Sequence, residues 1–346
     1  MDKKEQVINQ IEESKTGNRS RDRLNLIRKR EAYRYRNEPF SEAILLYLNN
    51  ELDSLLPANL YQFTKDMLSE RMLWIEFLID RASEVVEGYD LNRAHKLIKL
   101  AINELEKDVD ASDITTPVFS VNTLYEEELI RNVLNIPTKY EIIEGPHSEA
   151  YFVLATISFM QGDEGEGINA LTTANHWNPV SLPVLLYIGN YFKMRKVLDK
   201  LEMVSMLAGQ IAIDPDHIGE ALRLIGYSYY LRGRHKQAYC CYHESLRYGT
   251  QLDGETVNDE MNAILLALGE KEPRILTKRE INELFLGEKF YPGPSQMAFA
   301  TLKKIIRKTF EDGDYLQTIE YAEIHLKTKR DLEVEKLLRL AKEHLA

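Results

Sequence analysis

Three successive blocks of roughly 35 residues between Ser148 and Gly249 repeat one spacing of small and aromatic residues. In the first, Tyr151, Leu154, Ala155, Gly162, Gly167, Leu171, Ala174 and Pro179 occupy repeat positions 4, 7, 8, 15, 20, 24, 27 and 32. In the third, Leu222, Ile225, Gly226, Tyr229, Gly233, Ala238, Tyr242 and Ser245 occupy positions 4, 7, 8, 11, 15, 20, 24 and 27. The second, from Leu182, keeps Leu185, Ile188, Gly189 and Phe192 at positions 4, 7, 8 and 11, although its turn, KMRKVLDK, has no glycine. Positions 4, 7, 8 and 11 share one face of a first helix, and positions 20, 24 and 27 one face of a second. Small residues at 8 and 20 let the two backbones approach closely. Glycine at 15 ends the first helix, because it takes the left-handed cap conformation cheaply, and proline at 32 ends the second. Each pair leaves an apolar flank that only a neighbouring pair can cover.

On these residues the chain resembles the tetratricopeptide repeat (TPR) proteins. The strings ALTTANHWNPVS and ALRLIGYSYYLRGRHKQAYCCYHESL further resemble a group of bacterial TPR proteins. The resemblance implies an all-α fold, a right-handed superhelical array of antiparallel helix pairs, and an interaction role with no activity attached.

The chain of 346 residues accommodates about 17 helices in one continuous array. Three regions are expected: a basic helical arm over residues 1–38, a divergent helical lobe over 39–146, and the repeat array with a C-terminal capping helix over 147–346. In the lobe, apolar residues from Leu60 to Val85 keep helical spacing. Ala82, Gly88, Ala94, Ile98 and Ala101 form a degenerate repeat. Residues 109–120 and 135–147, rich in Pro, Thr and Gly, flank one helix and read as a hinge. Beyond the loop FYPGPS, a weak repeat places Leu302, Ile305 and Ile306 at positions 4, 7 and 8, Gly313 at 15 and Ala322 at 24.

Hydrophobic residues make up 44% of the chain, yet no run approaches the ~18 apolar residues of a membrane span, so no membrane partner is expected. The start, MDKKEQVINQIEES, is charged from its second residue, unlike a secretory signal. Cys240 and Cys241, adjacent in one helix, provide no disulfide framework. These features suit a cytoplasmic protein.

In a TPR array, positions 2, 5, 9 and 12 of the first helices line the inner groove. Here the candidate peptide-binding residues are Phe152, Thr156, Asn190, Lys193, Arg223, Tyr227 and Tyr230, with Glu149, Phe159, Leu186 and Glu220 on the same faces. Amides bind a peptide backbone and cations a carboxylate. The families that clamp chaperone tails carry Lys and Asn at positions 5 and 9 of their first repeat, where this chain has Phe152 and Thr156. The expected partner is a protein or peptide.

An alternative places nucleic acid on the arm. The net charge is −11, but residues 15–36 carry nine Lys or Arg against Asp22 and Glu31. Arg19, Arg21, Arg23, Arg28, Lys29, Arg30, Arg34 and Arg36, interleaved with Tyr33 and Tyr35, match the composition that neutralises phosphates and stacks on bases. The competing reading docks this cationic helix on the acidic body. A third reading follows the architecture of peptide-sensing helical-repeat regulators. No GxxxxGK[ST], GxGxxG or GxSxG motif occurs, and the CxxC or HxxxH spacing of a metal site is absent around Cys240, Cys241 and His243. Neither a catalytic group, nor a metal, nor a cofactor is expected.

Overall fold

The computed structural model describes residues 3–17, 19–34, 40–55, 71–108, 116–132, 139–143, 145–248, 254–270, 274, 276–288 and 290–345, with the backbone alone at 19–21, 23, 24, 31, 53, 55 and 254–256. Among these residues the protein is all-α, with seventeen α-helices and two short strands. In chain order they are α1 (Lys3–Glu13), α2 (Arg19–Arg34), α3 (Ser41–Leu55), α4 (Arg71–Glu87), α5 (Leu91–Leu105), β1 (Val118–Ser120), α6 (Leu124–Asn132), β2 (Glu141–Ile143), α7 (His147–Met160), α8 (Glu164–Trp177), α9 (Leu182–Arg195), α10 (Leu198–Ile211), α11 (Pro215–Leu231), α12 (His235–Ser245), α13 (Gly254–Leu268), α14 (Lys278–Leu284), α15 (Gln296–Glu311), α16 (Tyr315–Thr328) and α17 (Leu332–Leu345). No helix among the described residues is long and apolar enough to cross a membrane. Residues 60–70 of the lobe's apolar pattern lie outside the described residues.

The chain forms two compact units, one of residues 1–113 and 145–170, the other of 114–144 and 171–346. The division falls inside α8, so α7 belongs with the N-terminal helices and the region between the two expected hinge segments belongs with the array. Those segments also contain the strands: β1 and β2 pair in parallel, with Phe119 opposite Ile142. Three-residue strands are too short to show an alternating pattern in sequence, and only long-range pairing reveals them.

In the first unit, α4 and α5 form the degenerate pair, with Ala82, Ala94, Ile98 and Ala101 wholly buried. Asp90 caps α5 by accepting from the Arg93 amide at 3.2 Å. Trp74 and Phe77 stack at 5.4 Å in this core. Glu166 of α8 is clamped by three donors: Lys99 at 2.6 Å and His95 at 2.8 Å from α5, and the Ser158 hydroxyl at 2.9 Å from α7. Burial alone would raise its pKa, but the hydrogen bonds from Lys99, His95 and Ser158 outweigh this and hold it at about 2.

One turn recurs through both units. The helices α4, α7, α9, α11, α13 and α15 each end on a left-handed residue: Tyr89, Gly162, Lys196, Gly233, Gly269 and Gly313. In each case this residue's amide bonds back three residues and the next amide bonds back five. Examples are Gly233 to Tyr230 O (2.9 Å) with Arg234 to Tyr229 O (2.9 Å), and Lys196 to Lys193 O (3.2 Å) with Val197 to Phe192 O (3.0 Å). This is the Schellman closure, which satisfies carbonyls that a helix end leaves without partners. The position-15 glycines Gly162, Gly233 and Gly313 therefore do what their spacing predicts. In the degenerate pair the left-handed residue is Tyr89 (φ 62°), one past Gly88.

The second unit shows why position 8 must be small. A Cβ on Gly226 would lie 2.7 Å from the ring of Tyr242, which is wholly buried at position 24 of the facing α12. Helix α12 is buried on more than its pairing face, since Tyr239, Cys240 and Cys241 are covered along with Ala238 and Tyr242. It packs against α11, α13 and α14. Burial pushes the Cys240 thiol up to about 12 and raises Cys241 well above its ordinary value, so both are inert packing groups.

Replacing Gly226 with Ala is expected to destabilise the protein by about 1–3 kcal/mol through overpacking against Tyr242. Lys196→Gly is expected to stabilise it by roughly 0.5–1 kcal/mol by relieving the left-handed conformation of a side-chain-bearing residue. Urea midpoints of the intact chain, with hydrogen exchange in α9 to α12, measure both. The Glu166 carboxylate, held below its ordinary value of 4.5 when folded, contributes stability that is complete above that value and lost as pH falls toward 2. Glu166→Gln should flatten the acid limb of a stability-versus-pH curve read by hydrogen exchange in α5 and α8.

Candidate functional site

Position 9 and 12 residues on α9 and position 5, 9 and 12 residues on α11 come together in the second unit because α9 and α11 pack side by side. Helix α9 begins after Ser181 with Pro183 in its first turn. Helix α11 is started by Asp214, which accepts from the Asp216 amide at 3.0 Å, with Pro215 at its first position. These starts phase the two helices so that Asn190, Lys193, Arg223, Tyr227 and Tyr230 are all half-buried.

Two of the expected ligand groups already have protein partners. Asn190 donates to Glu220 Oε1 at 2.7 Å and to the Leu186 carbonyl at 3.1 Å. Lys193 Nζ lies 2.6 Å from Glu260 Oε1 and 4.8 Å from the centroid of the Tyr227 ring. The other oxygen of Glu260 accepts from the Tyr242 hydroxyl at 2.7 Å. A cation and an amide read from sequence as ligand contacts thus form a cross-brace through α9, α11, α12 and α13. Desolvation, then the charge of Glu260, raises the Tyr227 pKa, so that ring stays a neutral phenol. Leu186, on the same expected face, is buried.

What the brace leaves is Arg223 with its neighbouring tyrosines. Among the described residues the Arg223 guanidinium makes no hydrogen bond or ion pair. Tyr230 lies against His235, ring centroids 5.5 Å apart. Glu260 was not among the candidates, because the repeat register is lost between Gly249 and Ser295. Its only signal is its place in the helix that follows the third block.

Phe152 and Thr156 lie on α7 and belong to the first unit. Both are half-buried, and the Thr156 hydroxyl donates to the Phe152 carbonyl at 3.1 Å.

The basic arm is α2, and part of its charge is neutralised within the first unit. Arg30 is only 3% exposed. Its guanidinium donates to Asn49 at 2.8 Å and Glu84 at 2.6 Å, with Asp80 at 3.3 Å, and it lies over the Phe77 ring. Arg34 also pairs with Asp80. Lys29 donates to the Ser14 hydroxyl at 2.5 Å, and burial lowers its pKa. Arg28 is exposed. Arg19, Arg21 and Arg23 are described by backbone position alone, and Arg36 lies outside the described residues. Moving Arg30 onto a phosphate would take a buried guanidinium away from Asn49, Asp80 and Glu84.

No protein-family model and no curated protein matches the sequence.

The cross-brace predicts a structural phenotype at Glu260. Glu260→Gln should cost about 1–3 kcal/mol, because Lys193 loses its counter-charge and the buried Tyr242 hydroxyl its ionised acceptor. Chemical denaturation of the variant and of the Lys193→Met, Glu260→Gln double variant checks this, with the double variant expected to recover part of the loss.

Proposed function

We propose that this chain is a TPR-like scaffold that binds a protein or peptide on the face presented by α9 and α11. The observation that carries the reading is Arg223: a guanidinium with no carboxylate partner among the described residues, half-buried one and two helical turns before Tyr227 and Tyr230. A cation flanked by amphipathic rings suits an extended segment with an acidic group. The guanidinium takes the carboxylate in a fork, and the tyrosines offer contact area at low entropic cost. Asn190 and Lys193 support the face by bracing it and are not its recognition groups.

The brace also explains how the face stays rigid enough to bind. A preformed surface does not lose the ordering entropy that a mobile one loses on association.

Affinity capture from the native host, comparing the intact chain with Arg223→Ala and Tyr230→Ala, tests the reading. At least one partner retained by the intact chain should bind each variant about tenfold or more weakly, as expected for hot-spot residues. If the combined Asn190→Ala, Arg223→Ala variant keeps every captured partner at undiminished affinity, the face is not the binding site.

A further inference from the structure

The second helices of the same unit enclose a different site. A cleft of about 800 Å³ opens between the C-terminal ends of α10 and α12, helix α14, and the loop from Phe290 to Ser295. Its volume lies within the roughly 300–1,000 Å³ of small-molecule pockets. It is lined by residues of α10, α12, α14 and the loop into α15, none of which belongs to the α9 and α11 face.

Its walls are preformed. Phe290 is buried against α10 so closely that a Cβ on Gly209 would fall 2.8 Å from the ring. Pro292 and Pro294 stiffen the loop on either side of Gly293, whose φ of 124° a side chain would strain. The Tyr291 hydroxyl donates to Asn282 at 2.9 Å, tying the loop to α14.

The polar groups in the cleft fall into two sets. Glu244, buried to all but 8%, is neutralised by Arg247, whose Nη1 reaches its two oxygens at 3.0 and 3.3 Å, and it accepts from the Tyr248 hydroxyl at 3.3 Å. The side chains of Gln210, His243, Lys278 and Gln296, by contrast, make no hydrogen bond or ion pair among the described residues. With Glu244 balanced by Arg247, the cleft retains the charge of Lys278 in a chain whose net charge is −11. Leu276, Ile281 and Phe290 supply an apolar floor beside these groups.

We infer that this cleft binds a small organic anion, its charged group on Lys278 and His243 and its ring-bearing body against Phe290 and Ile281. A carboxylate and a phosphate ester share this chemistry, and the amides of Gln210 and Gln296 serve either one as hydrogen-bond partners. The site is independent of the α9 and α11 face, so it stands or falls separately from the binding role proposed there.

The imidazole resonances of His243, assigned through a His243→Gln variant, report binding directly in the full chain. Adenosine 5′-monophosphate and indole-3-acetate probe the two anion classes, with adenosine and indole-3-acetamide as uncharged counterparts. At least one anion should shift His243 saturably, with its neutral counterpart at least about tenfold weaker, a difference of ~1.4 kcal/mol. Lys278 is exposed and makes no contact the fold depends on, so Lys278→Ala should remain folded and weaken the anion to a similar degree, while Lys278→Arg should retain binding. The inference is overturned if neither anion moves His243 at millimolar concentration, if the neutral molecules bind as tightly, or if Lys278→Ala leaves affinity unchanged. A phosphate response without a carboxylate response, or the reverse, identifies the class.

Discussion

The left-handed turn at the end of each first helix is the constraint on which both units depend. Six times among the described residues a helix stops by closing the same pair of backbone bonds, and after α4, α9, α11 and α15 the next helix packs back against it. The turn works only if the two helices then approach closely, which is why the small residue Gly226 stands opposite Tyr242 of the second helix. Sequence departs from glycine at Tyr89 and Lys196, yet the backbone keeps the same conformation. Packing along the whole pair outweighs the local cost, about 1–2 kcal/mol, of a side chain there.

Charge organises what the turns position. Single carboxylates serve as junctions: Glu166 gathers Lys99, His95 and Ser158 in the first unit, and Glu260 gathers Lys193 and Tyr242 in the second. Each junction ties together helices that the chain does not join consecutively. The arm follows the same logic, since Arg30 links α2 to Asn49 on α3 and to Asp80 and Glu84 on α4. These ties separate residues that brace the fold from residues that stand uncommitted at its surface. Arg223 on one face, and Lys278 with His243 on the other, belong to the second group.

The helices were largely legible because each is written within a few turns of chain. Leu154, Leu222, Ile225 and Leu302 recur at helical spacing and are buried as that spacing requires. Gly162, Gly233 and Gly313 mark turns through a purely local conformational demand. The parallel pairing of β1 with β2 was not legible, because three-residue strands carry no period and their partners are far apart in sequence. The candidate face was legible in its members but not in their roles. Asn190 and Lys193 look identical in sequence whether they await a ligand or are closed by Glu220 and Glu260.

Sequence by itself determined the all-α class, the pairing of α9 with α10 and of α11 with α12, and the burial of small positions such as Ala155 and Ala238, because these arise from the period of a single helix and the geometry of a single turn. Tertiary structure alone decided that the unit boundary runs through α8, that Lys193 is neutralised while Arg223 is not, and that a cleft opens between α10, α12 and α14. Those outcomes depend on which distant side chains meet. Coulombic and hydrogen-bond partners act through space over a few ångströms, and spacing along the chain does not encode that distance.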